Sequence, residues 1–205
     1  HGIYVSNSSG PNDNPVIRGN ITYGNGRSGI QINGDCYTKD SRGKSDGVID
    51  GAVIENNIVY GNTAKGMSLV SMQDSVVRNN LIYANKNGAG GIHLTDEPDC
   101  GKPSHRNTIV NNNIVEHQIA GIRITDNAAG NVIFNNIVIG LRKGTIVDEV
   151  EGSRIDKESN LMSRSIPSDL FVNSERYDYH LLPESAARDR GKNLYEGKSA
   201  PRSDF

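Results

Sequence analysis

The stretch VIENNIVYGN at residues 53–62 has close copies at 16–25 (VIRGNITYGN) and at 76–85 (VVRNNLIYAN). Each copy places an asparagine between two short runs of aliphatic residues. Within the runs apolar and polar residues alternate and β-branched residues are frequent, which is typical of short strands. The asparagine therefore falls between two strands, and its recurrence decides the fold.

The full repeat has two alternating segments. The asparagine-containing run returns at 109–117 and 132–140, and a weaker last turn lies at 144–149. The other segment is a glycine followed by alternating apolar residues: GIYV (2–5), GIQIN (29–33), GMSLV (66–70), GIHLT (91–95) and GIRIT (121–125). Repeats of this size are typical of a solenoid, in which each unit packs only on its neighbours. Since the units are strands, the sequence predicts an all-β, right-handed parallel β-helix of about five to six rungs.

One asparagine per rung is predicted to stack on the next. Asn57 and Asn80 are 23 residues apart, as are Asn113 and Asn136. Stacked amides can donate to and accept from one another, whereas a single buried amide would be costly. We therefore predict one structural ladder with these members: Asn20, Asn57, Asn80, Asn113 and Asn136.

Two other columns follow from the same alignment. The first is a stack of tyrosines continued by other residues in later rungs: Tyr23, Tyr60, Tyr83, Glu116 and Ile139. The second alternates in charge and predicts a series of exposed ion pairs: Arg18, Glu55 and Arg78. Such exposed pairs contribute only about a few tenths of a kcal/mol each.

Composition and segment boundaries suggest how the chain is organised. We predict β-helix rungs over 1–150, with loop insertions at 34–52 and 96–107, and a C-terminal segment over 151–205 that packs along the helix. The absence of an initiator methionine suggests a fragment of a longer chain. A net charge of −2 and a pI near 6.2 give no support for nucleic-acid or membrane binding. No apolar stretch is long enough to span a bilayer.

The two insertions carry the chain's two cysteines, Cys36 and Cys100. Both loops leave the same corner, two rungs apart, which is about 10 Å. That distance is too long for a bridge between strands but within reach of two protruding loops. A disulfide, and with it an oxidising, secreted setting, is the favoured interpretation. Two free thiols are the alternative.

A substrate groove is predicted beside these loops, because loops from one corner of a rigid solenoid form walls. Its floor would be the outward positions of the glycine-led strands: Tyr4, Gln31, Ser68, His93 and Arg123. Beside the floor lie further polar side chains: Asn33, Asp35, Thr95, Asp96, Glu97, Thr125 and Asp126. Residues just before the strands add a basic edge: Arg27, Lys65 and Lys86.

The pattern GIxI followed by VIxNNIVYGN resembles the right-handed parallel β-helix repeat family, within the pectate-lyase-like superfamily. The resemblance covers residues 1 to about 150. From Ser159 the tail is similar to a C-terminal segment of secreted members, with these matching positions: Phe171, Val172, Asp178, Tyr179, His180, Leu181, Pro183, Ser185, Asp189 and Gly191. In this interpretation His180 is structural. The family includes polysaccharide lyases, epimerases, glycoside hydrolases and non-catalytic modules, so fold does not choose the reaction.

The resemblance to lyases implies specific roles for the groove residues. A lyase neutralises a uronate carboxylate, abstracts the C5 proton and protonates the leaving oxygen. His93 is the candidate base, Arg123 the carboxylate ligand and Lys65 a further catalytic cation. Tyr4, Gln31, Asn33 and Ser68 would bind substrate. A Ca²⁺ ion, which prefers several oxygen ligands, would be held by acidic residues: Asp35, Asp96, Glu97 and Asp99.

Several motifs of named enzymes in the family are absent, including the D-P-H signature of mannuronan epimerases. From the resemblance and the groove residues, we expect a secreted or cell-surface protein that acts on acidic polysaccharide, by β-elimination if it is catalytic. The alternative is a non-catalytic structural or carbohydrate-binding module of a surface or appendage protein.

Overall fold

The computed structural model describes residues 1–35, 45–86, 90–97, 102–117, 119–140 and 144–201. Within them the chain winds six times through three parallel sheets, each of six strands. A right-handed parallel β-helix was the predicted fold, and it is confirmed.

The three sheets are named in the order in which each turn visits them. Sheet 1 contains the glycine-led strands: Ile3–Ser6, Ile30–Asn33, Met67–Val70, Ile92–Thr95, Ala120–Ile124 and Gly144–Asp148. Sheet 2 follows it: Val16–Arg18, Val53–Glu55, Val76–Arg78, Thr108–Val110, Val132–Phe134 and Arg154–Ile155. Sheet 3 completes the turn: Ile21–Tyr23, Ile58–Tyr60, Leu81–Tyr83, Asn113–His117, Ile137–Gly140 and Leu161–Ser163. The last strands of sheets 2 and 3 thus lie beyond residue 150.

Three small two-stranded sheets complete the fold. Ile49–Asp50 pairs in parallel with Met72–Gln73 beside the corner that precedes sheet 2. Phe171–Asn173 and Asp178–Leu181 form an antiparallel hairpin around the 3₁₀ turn Ser174–Arg176. Leu194–Tyr195 pairs with Lys198–Ser199. We call Phe171–Leu181 the C-terminal hairpin.

The core is a narrow column of aliphatic side chains that point inward from all three sheets. Ile30, Ile54 and Ile82 are representative, each with no exposed surface. This narrowness explains the glycine at the start of several sheet 1 strands. A Cβ at Gly66 would lie 2.5 Å from Ile82 Cγ2, and one at Gly121 would lie 2.1 Å from Val138 Cγ1. Any side chain there would therefore push the facing sheets apart.

The asparagine ladder between sheets 2 and 3 is present, with one member different from the prediction. Asn112, not Asn113, stands between Asn80 and Asn136, because its Oδ1 accepts from Asn80 Nδ2 at 2.9 Å. Asn112 Nδ2 in turn donates to Asn136 Oδ1 at 3.0 Å. The ladder ends on Asn160, whose Oδ1 accepts from Asn136 Nδ2 at 3.0 Å. Asn113 is instead the first residue of a sheet 3 strand.

A left-handed backbone conformation explains the choice of ladder residue. Each ladder asparagine from Asn57 to Asn136 follows a residue with φ between 54° and 56° that turns the corner: Asn56, Asn79, Asn111 and Asn135. Asparagine tolerates this conformation better than other non-glycine residues. In the run Asn111-Asn112-Asn113 the first residue turns, the second stacks and the third enters the strand.

The other two corners have ladders that sequence reasoning missed. One joins Asn25, Asn62 and Asn85 after sheet 3, with amide-to-amide hydrogen bonds of 2.8 and 2.9 Å. The other joins Asn107 to Asn131 before sheet 2, at 3.0 Å. Their signal in the sequence is a recurring Gly-Asn, Ala-Asn or Arg-Asn pair in which the first residue has positive φ.

The predicted tyrosine stack is present, but its continuation is different. Tyr23, Tyr60 and Tyr83 stack at 5.1 and 4.9 Å with nearly parallel rings. The residue that pairs with Tyr83 in the next rung is Val115 rather than Glu116. This error has the same origin as the ladder error, since both placed the strand one residue too late.

The charged column on sheet 2 is more buried than predicted. Glu55 forms ion pairs with Arg18 and Arg78 but is itself only 4 % exposed. Burial opposes its ionisation, yet the hydrogen bonds from Arg78 and Arg18 outweigh burial and lower the pKa of Glu55. Glu55 is therefore a buried, paired carboxylate.

The C-terminal segment packs on the outer face of sheet 3. Leu170, Phe171 and Tyr179 cover Val115 and Ile139 of the later rungs. His180 is exposed and its Nδ1 lies 2.6 Å from Asp178 Oδ1. The first rung of the same face is uncovered, and Ile21 and Tyr23 are more than half exposed there.

Candidate functional site

The strand register of sheet 1 brings the predicted groove floor into one column. Tyr4 pairs with Gln31, and Gln31 with Ser68. Ser68 pairs with His93, and His93 with Arg123. The column points outward because the residues that alternate with it belong to the core.

The column is open at one end and closed in the middle. Tyr4 is 51 % exposed, with its ring 5.3 Å from that of His1. Gln31 donates from Nε2 to Asn33 Oδ1 at 3.2 Å. By contrast Ser68 and His93 are buried despite their outward position. The four predicted substrate ligands thus lie toward the first rungs, beside His93 and not around it.

His93 is held by a chain of hydroxyl groups that ends on a carboxylate. Its Nε2 lies 2.8 Å from Thr125 Oγ1, and Thr125 Oγ1 lies 2.7 Å from Asp126 Oδ2. Thr95 also donates to Asp126 Oδ2. These hydrogen bonds from Thr95 and Thr125 lower the pKa of Asp126, so its carboxylate is ionised.

His93 is neutral under ordinary conditions. Burial, together with the positive charges of Lys65 and Arg123, lowers its pKa to about 3, against an opposing effect of the Asp126 carboxylate. Because the Thr125 hydroxyl donates to the Asp126 carboxylate, we assign His93 Nε2 as the donor to Thr125 Oγ1, which leaves the lone pair on Nδ1. Nδ1 is buried and has no hydrogen-bond partner among the described residues. In the part of the chain that the structure describes, an unprotonated imidazole nitrogen is thus left without a partner, under the influence of two positive charges.

The two cations have different surroundings. Lys65 Nζ lies 3.3 Å from Ser68 Oγ, and burial together with the charge of Arg123 lowers the pKa of Lys65. Arg123 forms an ion pair with Glu149 of the next rung, with Nε and Nη2 at 2.8 and 2.7 Å from Oε1. Glu149 was not among the predicted site residues. The only sequence feature that could have indicated Glu149 is its position at the end of the last and weakest repeat, residues 144–149.

The described residues of the predicted calcium site face different neighbours. Asp96 Oδ2 accepts from Asn127 Nδ2 at 2.9 Å, while the backbone of Glu97 bonds to Ser71 and that of Asp35 to Asn7. Within the described ranges, no group of three or more histidine, cysteine or acidic residues could hold a metal. Asp99 lies outside the described residues, so calcium binding stays a prediction.

The predicted Cys36–Cys100 disulfide also lies outside the described residues, and it too stays a prediction. In the part of the chain that the structure describes, no helix has the length and apolarity needed to cross a membrane.

Comparisons with known proteins address the fold. A family model described as "Right handed beta helix region" matches residues 1–160. No curated protein sequence matches the chain. Among solved structures, the A-module of the mannuronan C-5 epimerase AlgE6 from Azotobacter vinelandii is similar, with a TM-score of 0.63 and 16 % identity. The alignment covers 80 % of this chain and 42 % of the module, so the chain spans about two fifths of that length.

Proposed function

The chain belongs to the right-handed β-helix family, and from that premise we propose that it acts on an acidic polysaccharide along the outer face of sheet 1. The proposed reaction is β-elimination at a uronate residue. The observation that carries it is the neutral His93, whose buried Nδ1 has no hydrogen-bond partner among the described residues and whose pKa is lowered by the nearby charges of Lys65 and Arg123. The similar epimerase module is named for chemistry at C5 of a uronate polymer, which is the carbon where elimination also begins.

Substrate binding would make His93 a stronger base. After burial, the causes of its low pKa are the charges of Lys65 and Arg123. A uronate carboxylate bound between these cations would offset both charges and raise the pKa of His93 toward the value that proton abstraction needs. The same cations would stabilise the negative charge that develops on the carboxylate in the transition state.

Groups of the groove account for both proton transfers of the proposed elimination. The C5–H bond breaks and its proton moves to His93 Nδ1. The electron pair forms the C4–C5 double bond as the C4–O bond breaks. Lys65, whose lowered pKa makes it a better acid than an ordinary lysine, gives a proton to the leaving oxygen.

A second function is favoured by two features of the same site. Arg123 is already paired with Glu149, and His93 is only 7 % exposed. Both features suit a module that binds polysaccharide without cleaving it. In that case the first rungs, with exposed Tyr4 and the Gln31–Asn33 pair, would carry the contacts. An extracellular location belongs to both proposals.

The test is ultraviolet absorbance of the unsaturated uronate product, with alginate, pectate and glycosaminoglycans, each with and without Ca²⁺. Elimination predicts a rise that falls at least about 100-fold in His93→Gln, since general base catalysis contributes about 10²–10⁴. Arg123→Gln removes the proposed carboxylate ligand and should also reduce the rise. Arg154→Gln is its matched control, because Arg154 also pairs with a glutamate but lies on sheet 2.

Binding of the same polymers distinguishes the two functions. Retention on a polymer without any absorbance change would support the binding module and reject the lyase. Neither retention nor absorbance change with any polymer would reject both.

A further inference from the structure

A cavity of about 460 Å³ lies between the C-terminal hairpin and the outer face of sheet 3, away from the sheet 1 groove. Residues from both elements line it, and six of them matter here: Asn79, Leu81, Asn113, Ile137, Tyr177 and Tyr179. Small-molecule sites are usually concave, mostly apolar and of this size, with a few polar groups that orient the ligand.

Asn113 is a polar residue at a position of sheet 3 where the other rungs carry aliphatic residues. It pairs with Leu81 on one side and Ile137 on the other, and Ile21, Ile58 and Leu161 occupy the remaining rungs. Five of six rungs therefore place an aliphatic side chain here. An asparagine in such a column is costly unless its polar atoms find partners.

Only half of the Asn113 amide is bonded within the described residues. Its Nδ2 donates to the Tyr179 carbonyl at 3.5 Å, but its Oδ1 is buried with no partner among them. The residue is 7 % exposed. Asn79 presents a second buried amide oxygen without a partner in the described chain, and it lines the same cavity. Both residues line the cavity, and a ligand that carries at least two donors would supply the hydrogen bonds that these two acceptors lack.

The hairpin side of the cavity is aromatic. Tyr177 has φ of 61°, a left-handed conformation that is unfavourable for a bulky residue. Its ring stacks on Tyr83 at 5.4 Å, and that of Tyr179 lies 5.1 Å from Tyr83. Tyr177 adopts this conformation as the C-cap of the 3₁₀ turn, where its backbone N–H donates to the Ser174 carbonyl.

We propose that this cavity binds one hydroxylated sugar ring, whose hydroxyl groups donate to Asn113 Oδ1 and Asn79 Oδ1. The C–H face of the ring packs against Tyr177 and Tyr179. Arg176 also lines the cavity and forms no ion pair within the described residues, so a carboxylate on the ring has a cation beside it. The ligand class is therefore a uronic acid unit. The site does not depend on catalysis at sheet 1.

The experiment is an NMR titration of the whole chain, followed at the Asn113 side-chain amide and the Tyr177 ring. The probes are disaccharides of galacturonate and of galactose, a uronic and a neutral sugar with the same ring configuration. We expect both signals to shift, with tighter binding of the uronic probe. Arg176→Ala should bring the two affinities together.

Asn113→Leu is the decisive variant, because it supplies the side chain that the neighbouring rungs carry and should fold. It removes the hydroxyl acceptor, and affinity should fall about tenfold or more. Tyr177→Gly suits the left-handed backbone while removing one wall, and should also weaken binding. Arg123→Gln, on sheet 1, should leave the Asn113 shift unchanged.

The alternative outcomes are equally informative. Binding by Asn113→Leu within twofold of the original chain, or no shift of Asn113 with either sugar, would overturn the proposal. Equal affinity for both sugars would support hydroxyl recognition and overturn the role of Arg176. Loss of the Asn113 shift in Arg123→Gln would show that the signal reports the sheet 1 groove instead.

Discussion

The corner between sheets 2 and 3 and the outer face of sheet 1 both bury polar side chains, but they complete their hydrogen bonds differently. At the corner, Asn57 Oδ1 accepts from the backbone and side chain of Asn20, while its Nδ2 donates to Asn80 and to the Ile17 carbonyl. On sheet 1, His93 uses one ring nitrogen and leaves the other buried without a partner in the described chain.

The difference separates structural groups from candidate functional ones. A stack of identical amides satisfies each member because the next rung repeats it 4.7–4.9 Å away, roughly the spacing of hydrogen-bonded strands. Neighbouring residues show the same contrast, since Asn112 completes its bonds in the ladder whereas Asn113 Oδ1 has no partner within the described residues. A buried polar atom that the repeat leaves without a hydrogen bond is therefore a better guide to a binding site than one that a ladder satisfies.

The largest expected effect is a break in the middle of the ladder. Asn80→Ala removes donors to Asn112, Ile54 and Arg78 and leaves the amide of Asn57 without its acceptor. Because several buried groups lose partners at once, we expect a loss of about 3–5 kcal/mol in the free energy of unfolding, measured with urea. Asn20→Ala, at the half-buried end of the ladder, is the matched control and should cost about 1 kcal/mol. Equal costs would mean that the ladder is not the source.

The second effect concerns His93 and pH. Its folded pKa of about 3 lies below the ordinary histidine pKa of 6.5, so between these values the unfolded chain binds the extra proton. The contribution of His93 to the free energy of unfolding is therefore largest above pH 6.5. It falls by up to about 1.4 kcal/mol per pH unit as the pH drops toward 3.

Urea unfolding of the original chain and of His93→Gln at several pH values checks this expectation. The difference in stability between the two proteins should shrink or reverse from pH 7 to pH 5, since glutamine does not titrate. A difference that stays constant over this range would show that His93 is protonated equally in both states, and would also remove the basis for its role as a neutral base.

The smallest effect is expected at Glu55, a buried charge that is fully paired. Glu55→Gln keeps the shape but removes the charge that Arg18 and Arg78 share. Because both arginines reach solvent, we expect a cost of about 1–2 kcal/mol in unfolding free energy. Glu196→Gln is the control, since its pair with Arg154 is exposed and should contribute under about 1 kcal/mol. A cost at Glu55 no larger than at Glu196 would place it with ordinary surface pairs.

The repeat by itself determined the architecture. Alternating strands, a glycine at the narrow point and an asparagine at the corner recur because every rung meets the same neighbours, so one solution serves all of them. The outward column from Tyr4 to Arg123 followed from the same alternation. A parallel β-helix with this column was therefore predictable from residues alone.

Tertiary structure decided register and hydrogen-bond completion. Three consecutive asparagines, 111–113, are equivalent in sequence, and only the left-handed turn at Asn111 selects Asn112 for the ladder. Glu149 joined the site because the sixth rung stacks on Arg123. Burial set the charge state of His93, and the docked hairpin enclosed Asn113. These outcomes depend on contacts between residues far apart in the chain, where a shift of one position changes which face a side chain meets.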